Sequence, residues 1–435
     1  MTSQPSLSSI APEVMECIVT LLDLPDISSL RLVARDVCEK ASTDMFKSHF
    51  RRKRVKLTPE QLQRAISVTQ QHRYGCLLEH LTLVGIPSFL SQDLQTTAYQ
   101  QNIARLLRQA LETICLNSAR GCLPAICLII DGAGKGDSLH LKNWDKRWSI
   151  WEAAAECFEM TMLAIGSSQL SIEVLDIFDS VKRCSLACDQ VSPILAKINL
   201  ADSLRNLKQL SMSLSFHERR RPEPEHMEST AFGTENVAAI CRFLQLCPHL
   251  EDLKLHFYGT YSISCAGGLT HALRAELLFF NQVSESCQFP CLGRLSLNGI
   301  YTSEAALLSF LRQAQLRSLD MNEIHLQGTY RPIFDHLVEH MNQLEYVHLN
   351  DLFEANLINF NAPGKPHFPT LGRRGNGPNE ITRIGTDARK PIDYQLKSGR
   401  PLGSPLIHNW IERRVSKYGP IVPYYPASAP LFIYE

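Results

Sequence analysis

At 435 residues the chain is long enough for two or three domains, and 44% hydrophobic with 20% charged side chains is the balance of an ordinary globular protein. Its 44 Lys and Arg are matched by 44 Asp and Glu, so no overall field steers it toward nucleic acid or anionic lipid. No stretch approaches the ~20 apolar residues of a membrane helix, and the first residues lack the basic start and small-residue cleavage site of a secretory signal. Fourteen cysteines sit mostly inside apolar runs such as Cys122–Ile130, which points to reduced, buried thiols and a cytoplasmic or nuclear chain.

Within residues 7–50, Pro12 suits the first turn of a helix. Val14, Cys17, Ile18, Leu21 and Leu22 follow at helical spacing and predict one apolar face. Leu24-Pro25-Asp26 interrupts it, with Asp26 as the expected cap of a second helix. The next stripe is Ile27, Leu30, Val33, Ala34, Val37 and Ala41. Helices this small cannot bury their apolar faces unaided, so they need a partner surface in the same chain or in another.

The order Ile10-x-Pro12-Glu13-Val14, Ile18, Leu22, Leu24-Pro25-Asp26-Ile27 and Leu30-Arg31-Leu32-Val33-x-Arg35 resembles an F-box. In that family the motif docks on the small adaptor subunit of cullin–RING (SCF-type) ubiquitin ligases. The resemblance implies that Ile10, Pro12, Val14, Ile18, Leu22, Leu24, Ile27, Leu30 and Val33 either face the adaptor or support that face. A plain helical hairpin packed on the body of the chain is the other reading. The run Arg51-Arg52-Lys53-Arg54-Val55-Lys56 reads as a solvated edge strand; a nuclear import signal or a contact for an acidic partner are its alternatives.

From here a pattern recurs: apolar, two free, apolar, one free, apolar. Its eight copies begin at Leu78, Leu123, Ile172, Leu207, Leu250, Leu292, Leu316 and Leu344, at intervals of 24 to 49 residues. Between them helical patterns span Gln95–Asn117, Trp148–Ile165, Thr234–Leu246, Gly268–Val283, Ser303–Ala314 and Tyr330–Met341. A helix and a short strand per unit predict an α/β fold: stacked units with a parallel sheet and outer helices. Over residues 55–353 this resembles the leucine-rich repeats that often follow an F-box. It is irregular, with Ile86, Ile300, Ile324 and Leu352 where that family usually carries Asn or Cys.

Strand alternation turns one row of side chains outward, as a binding surface for a protein target. The target-binding candidates on it are Asp176, Phe178, Lys254, His256, Asn298, Asp320, Asn322, His348 and Asn350. Asn298, Asn322 and Asn350 would line up in neighbouring units, either to touch a target or to satisfy turn backbone. Two stretches break the pattern, Asp131–Trp148 and the polar His217–Phe232. Gly132–Asp137 lacks the spacing of a phosphate loop, and Cys184/Cys188, Cys287/Cys291 and Cys247/His249 have no second pair for zinc. No nucleophile–base pair stands out, so neither catalysis, cofactor nor metal is expected.

Residues 354–405 hold a concentration of Pro and Gly and are expected to be extended or disordered. Residues 406–435 begin with a short amphipathic helix over Leu406–Tyr418, placed either as a cap on the last unit or as a partner site. The expectation for the whole is a non-catalytic substrate receptor of an SCF-type ubiquitin ligase, joined to adaptor and cullin through the F-box. Its protein target is not named by the residues, and nucleic acid and membrane are not among its expected partners. The same residues would suit an F-box scaffold without a role in ubiquitination. An α/β hydrolase or nucleotide-binding enzyme would need a concave polar cluster instead.

Overall fold

A computed structural model describes residues 6–70, 77–87, 97–118, 121–132, 144–182, 184–215, 233–258, 268–354, 357–365 and 377–396. It is an α/β protein built around one mostly parallel sheet. Four short helices come first: α1 (Pro12–Thr20), α2 (Leu24–Arg31), α3 (Arg35–Ala41) and α4 (Asp44–Arg51). Pro12 does occupy the first turn of α1. The cap of α2 is Asp23 and not Asp26: its carboxylate accepts the Asp26 backbone N–H at 2.9 Å, so the helix starts one residue before Pro25. Met15, Val19, Ile27, Val37, Ala41 and Phe46 form a core of their own, separate from that of the sheet. The Arg31 guanidinium lies over Phe46, 3.9 Å from the ring centre, and Lys40 Nζ donates to the carbonyls of Ser8 and Ile10 at 2.7 and 2.8 Å.

The sheet begins at β1 (Arg52–Lys56), on which α5 (Pro59–Thr69) follows directly, and continues through β2 (His80–Gly85), α6 (Thr97–Asn117), β3 (Cys122–Ile130), α7 (Trp144–Ser168) and β4 (Ser171–Ile177). A two-residue strand β5 (Leu186–Ala187), α8 (Val191–Lys197) and α9 (Ala201–Leu204) lead to β6 (Gln209–Ser215) and α10 (Thr234–Gln245). Then come β7 (Asp252–Tyr258), α11 (Gly268–Ser286), β8 (Arg294–Asn298), β9 (Tyr301–Ser303), α12 (Glu304–Gln313), β10 (Ser318–Asn322), β11 (His325–Gln327), α13 (Arg331–Glu339) and β12 (Tyr346–Asn350). Each main strand pairs in parallel with the next along the chain, in the order β1-β2-β3-β4-β6-β7-β8-β10-β12. Every one of the eight sequence copies contributes to one of these strands, from β2 to β12.

The register is in phase across all eight. Leu81, Ile126, Leu175, Leu210, Leu253, Leu295, Leu319 and Val347 are successive partners, and two residues on so are Leu83, Leu128, Ile177, Met212, Leu255, Leu297, Met321 and Leu349. Both rows are buried, against a layer of helices in which α5 packs on α6, α6 on α7, α10 on α11, α11 on α12 and α12 on α13. The residues between the rows, from Thr82 to His348, stay half-exposed on the opposite face. One slipped residue would turn both buried rows outward, which is why the copies keep phase although their spacing does not.

A second ladder runs past the strand ends in the last three units. Gly299, Glu323 and Asp351 all take the left-handed backbone region, at φ +66°, +52° and +52°. Their N–H groups donate in turn to the carbonyls of Asn322, Asn350 and Asn379, at 3.0, 2.9 and 3.0 Å. This turn stacks Tyr301 on His325 and His325 on Phe353, with ring centres 4.2 and 4.4 Å apart. The three aromatic positions are in phase as the leucines are. Beyond them, β13 (Ile358–Phe360) pairs with β15 (Tyr394–Leu396), while β14 (Glu380–Ile384) adds antiparallel to β12. Ile358, Phe360, Ile381, Ala388 and Ile392 join the main core, so the described part of the Pro/Gly-rich segment, short strands and a 3-10 turn over Gly385–Arg389, is tied to the sheet. The expected helix at Leu406–Tyr418 lies outside the described residues, as do all of His217–Phe232 and most of Asp131–Trp148.

Gly299 tests the turn ladder. A Cβ there would meet the Phe257 carbonyl oxygen at 2.3 Å, and φ is already positive. Gly299→Ala is expected to destabilise the chain by about 2–3 kcal/mol in urea unfolding.

Candidate protein-interaction surfaces

Two surfaces gather the residues singled out by sequence. On the N-terminal helices, α1 is apolar on both sides. Its inner side buries Met15 and Val19, while the stripe read from sequence faces largely outward: Val14 and Cys17 are exposed, Ile18 and Leu22 half-buried, and Leu21 is 86% exposed. Leu32, at the end of α2, is 88% exposed and Val33 59%. Five of the nine large exposed hydrophobics among the described residues, Leu7, Val14, Leu21, Leu32 and Val33, fall in this first short stretch. Of the nine adaptor-facing candidates, Pro12, Val14 and Val33 are exposed, Ile10, Ile18, Leu22, Leu24 and Leu30 are half-buried, and Ile27 lies inside the small core. Leu21 and Leu32 were not among those nine. Leu21 belongs to the predicted stripe, and only the helix ends, where both residues sit as caps, show how far they project.

The second surface is the sheet face away from the helices. Asp176, Lys254, Asp320 and His348 stand on it in one row, half-exposed, and Asn298 is half-exposed one row along. His348 Nδ1 and the Thr382 hydroxyl are 2.9 Å apart, which ties the row to β14. The Lys254 ammonium reaches the Asp179 carboxylate at 2.7 Å. Asp176 accepts the Asp179 backbone N–H at 2.8 Å and the Cys127 thiol at 3.4 Å. Burial lifts the Asp176 carboxyl above its ordinary range, and the bonds from Ser180 and Asp179 N–H pull against that lift. The Cys127 thiol is pushed up to about 12, first by burial and then by the Asp176 charge.

The remaining candidates are not presented to solvent. Phe178 follows the last residue of β4, where alternation would face it outward, but its φ of +62° ends the strand and its ring packs into the main core. His256 is buried with its ring 3.9 Å from that of Tyr258. Asn322 and Asn350 are buried too, and Asn350 Nδ2 donates to Asn322 Oδ1 at 3.1 Å. Asn298, Asn322 and Asn350 do line up as register partners. The two buried side chains bond along the sheet, which is a third use beside the two weighed from sequence.

Among the described residues no group of three or more His, Cys, Asp or Glu side chains is placed to hold a metal, and no helix is long and apolar enough to cross a membrane. A scan against protein-family models and a search of curated proteins both returned no match.

Two outcomes check this geometry. Met15→Ala should lower stability by about 2–5 kcal/mol, whereas Leu21→Asp and Leu32→Asp should each stay within about 0.5 kcal/mol of the parent in urea unfolding. In native protein near pH 8, iodoacetamide should modify the exposed Cys17 and Cys291 well before Cys127, read by mass spectrometry of the peptides.

Proposed function

We propose that the chain is a substrate receptor of an SCF-type ubiquitin ligase: an N-terminal F-box binds the ligase adaptor, and a leucine-rich-repeat-like solenoid binds a protein target. The observation that carries the reading is the second apolar side of α1 and α2. A short helix whose inner side already fills a core gains nothing from Val14, Leu21, Leu32 and Val33 unless another surface covers them. Burying each would be worth about 1.5–3 kcal/mol of transfer free energy, enough for a specific partner and wasteful without one.

The repeat reading is supported by the in-phase parallel register, with one helix layer behind it and one open face before it. The open face offers a cation at Lys254, carboxyls at Asp176 and Asp320 and an imidazole at His348, a mixed set suited to a folded or extended protein rather than to a small substrate. The role needs no reacting group. The receptor would raise the local concentration of its target beside the ubiquitin-loaded enzyme.

Affinity purification of the parent beside a Leu21→Asp, Leu32→Asp, Val33→Asp variant tests this. The adaptor and a cullin should accompany the parent and be lost, by about tenfold or more, from a variant whose circular dichroism is unchanged. Recovery of both at equal levels, or of neither with the parent, would remove the ligase reading.

A further inference from the structure

The free edge of the sheet, at β1, combines three features that its role as a connector does not require. The first is open backbone. The Glu79 N–H donates to the Arg51 carbonyl at 2.8 Å and the Leu57 N–H to the Val84 carbonyl at 2.9 Å. Alternate residues of a parallel strand bond to the same neighbour, so Arg51, Lys53, Val55 and Leu57 serve β2. The N–H and C=O groups of Arg52 and Arg54 and the N–H of Lys56 therefore point off the edge with no strand beside them among the described residues, while the Lys56 carbonyl accepts the Thr58 N–H at 2.7 Å.

The second feature is a cavity of about 290 Å³ under that edge, on the helix side. Leu81 and Leu83 of the sheet line it together with Ala65 and Val68 of α5 and Ala110 and Ile114 of α6, while Lys53, Arg54 and Val55 lie along β1 as its lip. Interiors pack with few voids larger than a water molecule, so an apolar space of this size at an open edge is room for a guest.

The third is charge without partners. Arg51 pairs with Glu79 and Lys56 with Asp131, at 3.7 and 2.7 Å, but Arg52, Lys53, Arg54 and Arg64 have no ion-pair or hydrogen-bond partner among the described residues. Register places Arg52, Arg54 and Lys56 on the open face, beside His80, Thr82 and Val84, and Lys53 and Val55 on the helix side, beside Leu81 and Leu83. Basic residues on an edge strand commonly serve as a guard against self-association. A guard has no use for the cavity.

We infer that the β1 edge receives an extended segment of a partner protein as a further strand, with alternating apolar and acidic side chains. Added beside β1, such a segment turns every second side chain toward the helix layer and into the cavity, and the others toward Arg52 and Arg54. Period two on the guest matches an apolar space on the helix side of the edge, rimmed by Lys53 and Arg64, and the unpartnered cations Arg52 and Arg54 on the other side. The inference rests on the reading of the chain as a receptor for proteins, and it names the chemistry of the bound segment.

The test uses the full chain and a fluorescent synthetic peptide alternating leucine and glutamate, followed by anisotropy. The alternating peptide should bind, and raised salt should weaken it. A peptide of the same composition in scrambled order, and one N-methylated at alternate residues so that it cannot pair, should each bind about tenfold more weakly or worse. Arg52→Glu with Arg54→Glu, both at exposed positions, should cost about as much, as should Ala65→Phe, which fills the cavity. Amides of Arg52, Arg54 and Lys56 should gain protection from hydrogen exchange in the complex. Equal binding of the scrambled or N-methylated peptide would overturn strand addition, and binding of dodecanoate without the peptide would assign the cavity to a small amphiphile. The assay contains no adaptor, so its failure beside an intact adaptor interaction would remove this inference and leave the ligase reading standing.

Discussion

Everything in the body of the chain depends on keeping two apolar rows in phase. Each main strand from β2 to β12 supplies one residue to the Leu81–Val347 row and one to the Leu83–Leu349 row, and neither can be buried by its own unit. The neighbouring strand and the helix behind it complete the burial, so stability belongs to the stack and passes from unit to unit. This explains why intervals of 24 to 49 residues are tolerated. Extra chain can leave between a strand and its helix without disturbing either row. The ends are treated differently: β14 closes the β12 edge from the antiparallel side, while β1 leaves its outer edge open and charged.

The N-terminal helices follow the opposite logic. Six side chains make a small closed core, and Val14, Leu21, Leu32 and Val33 remain exposed outside it. A stack of units satisfies its own apolar faces; this module does not.

Much of this was legible beforehand, and the failures have physical causes. The eight copies place eight strands because period two with two fixed apolar positions survives any loop length, and the six helical patterns between them match α6, α7, α10, α11, α12 and α13 to within a few residues, while the short α8 and α9 carry no pattern long enough to read. Which side of α1 faces inward was not legible, since Met15-Val19 and Val14-Ile18-Leu21 are equally apolar at helical spacing. The cap of α2 was misplaced because Asp23 and Asp26 are equally good acceptors in sequence, and only the helix start selects one. Simple alternation puts Phe178, Asn322 and Asn350 on the open face; a positive φ ends it at Phe178, whereas the two asparagines keep the register of Asn298 but are buried, with Asn350 Nδ2 donating to Asn322 Oδ1. The shared left-handed turn at Gly299, Glu323 and Asp351 had no signal, because only one of the three is glycine.

The central claim is that the outward apolar side of α1 and α2 is a binding face for the adaptor of a cullin–RING ligase. Hydrogen exchange on the full chain, alone and with purified adaptor, reads that face directly. The account predicts new protection confined to residues of α1, α2 and the turn through Val33, with β10 and β12 unchanged. Protection absent from those helices at saturating adaptor, or spread instead over the sheet, would contradict it.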